Sequence, residues 1–194
     1  MKYLNGLKEY LVAHYERAVL DQAQASGRDW VFHLHGQRRI VSADFQNEQY
    51  ELIFGNSGPQ PESVHKTEVK FFYPLELEAA VAKSLKLDKT VRAKGLGPLY
   101  YTKDRCFVKN KSLYPLMLDR EVVLVTLLEG EILRGLISGF NRYEISLHLK
   151  GGVPVTILRH SIYAFVNKKG RSFLKKDQER LRDWQKSAYF IEAT

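Results

Sequence analysis

The sequence predicts a mainly β protein with flanking helices, built from small, strongly bent five-stranded barrels, two of them in tandem. Three observations carry this. Five short apolar runs follow one another within about 45 residues between Glu121 and Phe165, too few residues for a flat sheet with its own core. A glycine, Gly135, sits inside one of those runs, where it lets a strand bend sharply. The first half of the chain carries a looser version of the same succession of strands and turns.

Taken in order, residues 3–24 read as a helix, because Leu4, Leu7, Tyr10, Leu11, His14 and Ala18 recur at helical spacing. From Trp30 the period changes to alternation, with turn signals at Gly36 and at Gly55–Gly58. "VHKTEVKFFY" reads as a further strand pair, and residues 75–87 as a helix of good formers. Residues 88–115 show no clear period and fit a linker, a hairpin or a disordered arm. "EVVLVTL", "EILRGLISG", "RYEISLHLK", "VPVTILR" and "SIYAFV" are the five C-terminal strands. The division is 1–82 (helix plus a degenerate β domain), 83–111 (basic arm), 112–167 (the clearer β domain) and 168–194 (a basic, helical tail).

Composition narrows the function. The chain has 194 residues and a net charge of +8. Residues 83–111 hold nine cations against two anions, and residues 165–186 eight against three. Clustered cations suit a polyanion such as nucleic acid, although solubility alone also explains charged surface segments. The single cysteine, Cys106, leaves no internal disulfide and no cysteine-based zinc site, so a reducing, cytoplasmic setting is expected. No apolar run reaches the roughly 18 residues of a membrane span. Lys8, Glu9, His14, Glu16 and Arg17 interrupt the N-terminal run and speak against a signal peptide. His33 and His35 are spaced to share one strand face, as metal ligands can, but no further Cys/His cluster or acidic motif completes a site. "GLGP" at 95–98 lacks the ending of a phosphate loop, and no catalytic signature is present. A non-enzymatic protein without a cofactor is the expectation.

The most informative stretch is "ILRHSIYAF", residues 157–165, where an apolar run breaks for Arg159, His160 and Ser161 and resumes at once. With "EGEILRGLISGFNRYEISLHL" before it, this stretch resembles the Sm-like family, in its bacterial Hfq branch. Gly130 matches the turn glycine of the first motif, Gly135 the bend glycine and Phe140 the aromatic before the polar turn. "LRHSI" is similar to the Hfq second motif, and the Ile-Arg-Gly of the other branches is absent. The match covers residues 117–167, a quarter of the chain. Residues 30–73 echo it: Gly36 stands against Gly130, Tyr50 against Tyr143, and "VHKTEVKF" against "LRHSIYAF". An unrelated pair of hairpins on the first helix is the plainer reading of that half.

The resemblance implies non-catalytic binding of single-stranded or small regulatory RNA, uridine-rich by preference, on the helix-bearing face. The implied contacts are Arg159 and His160 at the corner, Tyr143 as the stacking residue, and Arg142 and Asn141 beside it. His65 and Lys66 mark the corresponding corner of the first half, and Lys168 and Lys169 begin the basic tail. The chemistry is coherent, since single strands are held by aromatic stacking and by cations along the backbone. Thr126 and Ile132 depart from the residues with which Hfq holds A-rich RNA, the arginine rim is reduced to Arg120 beside Asp119, and Leu158 replaces a tyrosine. The resemblance also implies a homo-oligomer, with three two-barrel chains closing a pseudo-hexameric ring. A scaffold that binds protein through exposed strand edges is the alternative.

Overall fold

The computed structural model describes residues 4–55 and 60–175. Two short helices open the chain, α1 (Leu7–His14) and α2 (Val19–Ala25). The first half continues with β1 (Trp30–Leu34), β2 (Arg39–Ser42), β3 (Phe45–Asn47), β4 (Glu51–Phe54), β5 (Glu62–His65) and β6 (Val69–Pro74). A connecting region follows: α3 (Glu78–Ser84), β7 (Lys86–Leu87), α4 (Lys89–Arg92) and β8 (Phe107–Val108). The second half comprises α5 (Asn110–Leu118), β9 (Val122–Leu127), β10 (Glu131–Phe140), β11 (Glu144–Leu149), β12 (Pro154–Leu158), β13 (Ile162–Asn167) and β14 (Leu174–Lys175).

The strands do not form two closed five-stranded barrels, which corrects the expectation from sequence. One large antiparallel sheet runs in the order β13-β9-β10-β11-β12-β6-β1-β2, with β7 added beside β10. β3-β4-β5 and β14-β8 are separate small sheets. One pairing and one strand break explain the difference. β12 pairs with β6 of the first half, Thr156 opposite Phe72 and Ile157 opposite Phe71, instead of closing on β13. In the first half the strand that would have continued breaks at Asp44. There the Ser42 hydroxyl donates to the Asp44 carbonyl (2.7 Å) and accepts from the Asp44 amide (3.1 Å), a local bonding pattern that ends the ladder.

The apolar pattern accounts for the layers. β9 alternates between buried and half-buried positions, as expected of a strand with one face on the core. β6 is buried at every position, because it serves two cores. Phe71 belongs to the core that holds Val123, Leu133 and Phe165 of the second half, and Phe72, in contact with Trp30 and Phe32, to the core that holds Leu158. Gly135 is required by close approach, since a Cβ there would lie 2.5 Å from the His148 carbonyl of β11. Gly130 has φ +90° in the β9–β10 turn and lies against the Asp88 backbone.

The single helix expected over 3–24 is broken between α1 and α2. The Arg142 amide donates to the Tyr15 carbonyl (3.0 Å), and the Asn141 amide group donates to the Arg17 carbonyl (2.9 Å). The second half thus takes carbonyls that a continuous helix would have used. The helix expected over 75–87 begins as a 3-10 turn, Leu75–Leu77, and ends at Ser84, so that Lys86 and Leu87 can pair with Ile132 and Glu131. Residues 83–111 are neither a long arm nor a single hairpin but a chain of short elements, with β7 paired to β10 of the second half and Tyr100 against His65 of the first. In the expected C-terminal helix, Leu174–Lys175 forms β14, and everything beyond Lys175 lies outside the described residues. Among the described residues no helix is long and apolar enough to cross a membrane.

Candidate nucleic-acid interface

Two matching turns carry the exposed aromatics. In the β10–β11 turn, the buried Asn141 side chain holds the loop by accepting from the Tyr143 and Glu144 amides (2.9 and 2.8 Å). This leaves Tyr143 outside, 61% exposed, with the Arg142 guanidinium 5.3 Å from its ring centroid. Arg142 also lies 3.8 Å from Glu16. The β3–β4 turn repeats the arrangement: the Glu48 amide donates to Glu51 (3.0 Å) as that of Asn141 does to Glu144 (3.1 Å). Its tyrosine, Tyr50, is 63% exposed.

Each turn docks on the 3-10 corner that follows in its half. The Arg159 amide donates to the Tyr143 carbonyl (2.9 Å), and the Lys66 amide to the Tyr50 carbonyl (2.8 Å). Both turns are also pinned to the same helix. The buried Glu144 carboxylate accepts from the Val19 and Leu20 amides (2.6 and 3.1 Å), capping the start of α2. Asn47 bonds Asp21 (2.5 Å) and Gln24 (3.0 Å) farther along it. Burial pushes the Glu144 carboxyl upward, against the pull of these donors.

The corner residues answer the question posed by "LRHSI" differently from the sequence expectation. Arg159 is engaged within the protein. Its guanidinium donates to Asn110 (2.9 Å) and to the carbonyls of Val108 and Glu144 (both 3.4 Å), and lies over the Phe140 ring. Burial draws it down to about 10. His160 donates from Nε2 to the Val69 carbonyl (2.9 Å), and burial lowers it to about 3, so the ring is neutral. The Ser161 hydroxyl donates to the carbonyls of Leu158 (2.7 Å) and Lys70 (3.0 Å). The polar break in the apolar run is therefore a clamp: it ties the second half to β6 and α5.

In the first half, Lys66 donates from Nζ to the Glu48 carbonyl and loses basicity through burial. His65 turns inward; its Nδ1 accepts from the Thr67 amide (3.2 Å) and lies 2.6 Å from the Thr67 hydroxyl. Lys168 and Lys169 are exposed beyond the far end of β13. Six residues of strand separate them from the corner, about 20 Å, so they do not join the tyrosine turns. Of the residues named from sequence, Arg142 and Tyr143 are brought together and open. Sequence reasoning paired Tyr50 with Tyr143 but did not make it a contact residue. It missed Tyr100 and Tyr101, which are exposed on the basic connector. Clustered tyrosines within a cationic segment were the available signal.

His33 does not join His35 as a ligand pair. Its Nε2 meets the Tyr73 hydroxyl (2.9 Å) and its ring stacks on Phe71, while His35 lies beyond the end of β1. Among the described residues no group of three or more His, Cys, Asp or Glu side chains is arranged to hold a metal.

No family model, curated protein or solved structure matches this chain.

Proposed function

We propose that this protein binds single-stranded RNA without catalysis, through the Tyr143 and Tyr50 turns. The observation that carries the reading is the pair of exposed tyrosines on matching turns pinned to one helix, with the Arg142 guanidinium beside Tyr143. Exposed aromatics next to cations suit stacked bases and their phosphates. The basic segments, 83–111 above all, supply sequence-independent attraction. Uridine-rich strands are the expected preference, on the resemblance of "LRHSI" to the Hfq branch. Arg159 and His160 act here as positioning residues: they hold the turn that presents Tyr143.

The test is fluorescence anisotropy with a labelled uridine oligomer. Tyr143→Leu and Tyr50→Leu should each weaken binding by about 1–3 kcal/mol, roughly 5- to 150-fold, and Tyr143→Phe should retain most of the affinity. Affinity should fall log-linearly with salt. Leucine variants that bind as tightly as the parent remove the reading.

A second reading, a protein-binding scaffold, is favoured by one edge. β5 pairs only with β4, so among the described residues its outer side, Glu62–His65, is open to an added strand. Ring formation by strand addition would use that edge and the outer edge of β13. The latter is partly covered, because the Phe173 amide donates to the Phe165 carbonyl (3.0 Å). A cyclic trimer therefore requires residues 171–175 to peel away, and the tyrosine turns, which stand on one chain, do not depend on it.

A further inference from the structure

Among the described residues four aromatic side chains are exposed, and all are tyrosines. Two are Tyr143 and Tyr50 on the matching turns. The other two, Tyr100 and Tyr101, stand side by side between α4 and β8, 52% and 70% exposed. No sheet holds them there; a side chain does. The Arg105 guanidinium donates to the carbonyls of Leu99 (2.9 Å) and Tyr100 (2.8 Å). The chain then closes into a 3-10 turn, Thr102–Asp104, in which the Asp104 amide donates to the Tyr101 carbonyl (3.1 Å). Arg105 is half-buried and burial lowers its basicity, so it braces the loop from inside. The outward cation is Lys103, whose Nζ lies 5.5 Å from the Tyr101 ring centroid. The Arg142 guanidinium stands 5.3 Å from that of Tyr143, so the pairing of an exposed tyrosine with a cation occurs twice.

The loop reaches both 3-10 corners. The Tyr100 ring meets the His65 ring edge-on, 5.6 Å between centroids, and its hydroxyl is 3.5 Å from Glu68. His65 and Glu68 flank Lys66, whose amide holds the Tyr50 turn. At the other end of the segment the Val108 carbonyl accepts from Arg159, whose amide holds the Tyr143 turn. Residues 100–108 thus span from the first corner to the second, and the paired tyrosines stand beside the corner that carries Tyr50.

We propose that Tyr100, Tyr101 and Lys103 extend the RNA site of the tyrosine turns into one track, so that a single strand lying over Tyr143 and Tyr50 stacks further bases on this loop. The inference rests on the reading of the two turns. It gives the connector a part that charge alone does not supply. Cations attract the phosphates of a duplex as well as those of a single strand. Tyrosine rings stack only on bases freed from pairing. Arg105 is a positioning residue, since it sets the loop carbonyls so that both rings face solvent.

The probe is a labelled uridine oligomer of about twelve nucleotides, within the roughly 4–16 that a single-strand-binding fold covers. The double variant Tyr100→Leu with Tyr101→Leu should bind it roughly 5- to 150-fold more weakly per lost base. Its salt slope should stay that of the parent, because no cation is removed, whereas Lys103→Ala should lower the slope by about one. Phenylalanine at both positions should retain most of the affinity. An RNA duplex of about twelve base pairs should bind the leucine variant as it binds the parent, and one oligomer should saturate one chain. A leucine variant with the parent's melting curve and the parent's affinity overturns the proposal; if Tyr143→Leu weakens binding in the same titration, the reading of the turns stands without it. An equal loss of duplex binding also overturns it, because the loop would then act on phosphates alone. So do two oligomers per chain, which would make the loop and the turns separate sites.

Discussion

Lys70, buried in β6, donates to both Glu129 and Glu131 beside the β9–β10 turn, and replacing it by Met tests this charge cluster most directly. The substitution keeps the volume and removes the ammonium, leaving Glu129 and Glu131 facing each other without a cation. Breaking a buried ion pair by removing one partner costs about 3–5 kcal/mol, because the survivor stays buried and uncompensated. The two carboxylates keep 19% and 14% side-chain exposure, which favours the lower end, about 3 kcal/mol at pH 7. The pH dependence gives the second signature. In the parent, Glu129 is held below its usual range, so its contribution is present at neutral pH and is lost as pH falls through the lowered value. In the variant the repulsion from Glu131 raises the Glu129 carboxyl, so the penalty is full at neutral pH and shrinks as Glu129 protonates. The gap between parent and variant should therefore narrow from pH 7 to pH 4. Urea denaturation at both values, with an unchanged m-value, measures it. Adding Glu129→Gln and Glu131→Gln to Lys70→Met should recover most of the loss. A loss below about 1 kcal/mol at pH 7, or one equal at both pH values, would refute the reasoning.

Two further outcomes follow from the corner and the imidazoles. Arg159→Ala should destabilise the protein by about 2 kcal/mol, since it removes charge-assisted bonds to Asn110, Val108 and Glu144. Arg159→Lys should not restore it, because an ammonium cannot span three acceptors as the planar fork does; thermal melting decides. His33 and His35 are lowered to about 4 and His160 to about 3, so all three are neutral when folded. Their contribution is present above pH 6.5 and is lost as pH falls toward those values. Each adds a slope of about 1.4 kcal/mol per pH unit within that window, which His160→Gln should flatten. A stability curve flat between pH 7 and pH 5 would mean that the native rings take up protons as readily as the unfolded ones.

The second half was the more legible in sequence because its strands carry one buried face. β9 shows the alternation openly, and Gly130 and Gly135 stand where a turn and a close approach need them. β6 was harder to place, since burial on both faces leaves no alternation to read, and its Lys70 resembles a surface residue in any local window. The break between α1 and α2 depends on Asn141 and Arg142, more than a hundred residues away, so helical spacing alone extended the helix through it. The same distance misled the reading of Arg159 and His160. A cation and an imidazole in an apolar run looked like ligands for an outside partner, whereas Asn110 and Val69 are brought to them by folding. The glycines at 95 and 97 read as linker, and no periodicity could show that they border a cavity.

The β6–β12 seam has a consequence for how the two halves stay together. The register there contains only two residue pairs, reinforced by the His160 and Ser161 bonds. Between separate molecules this seam, even with the shared core around Phe71 and the Lys70 pairs to Glu129 and Glu131, would have to overcome the loss of translational and rotational freedom on every encounter. Joined by residues 75–121, the two surfaces meet at an effective concentration of order millimolar, whatever the amount of protein in solution. The chain thus resembles a dimer rendered indifferent to dilution, in which the connector acts as a tether.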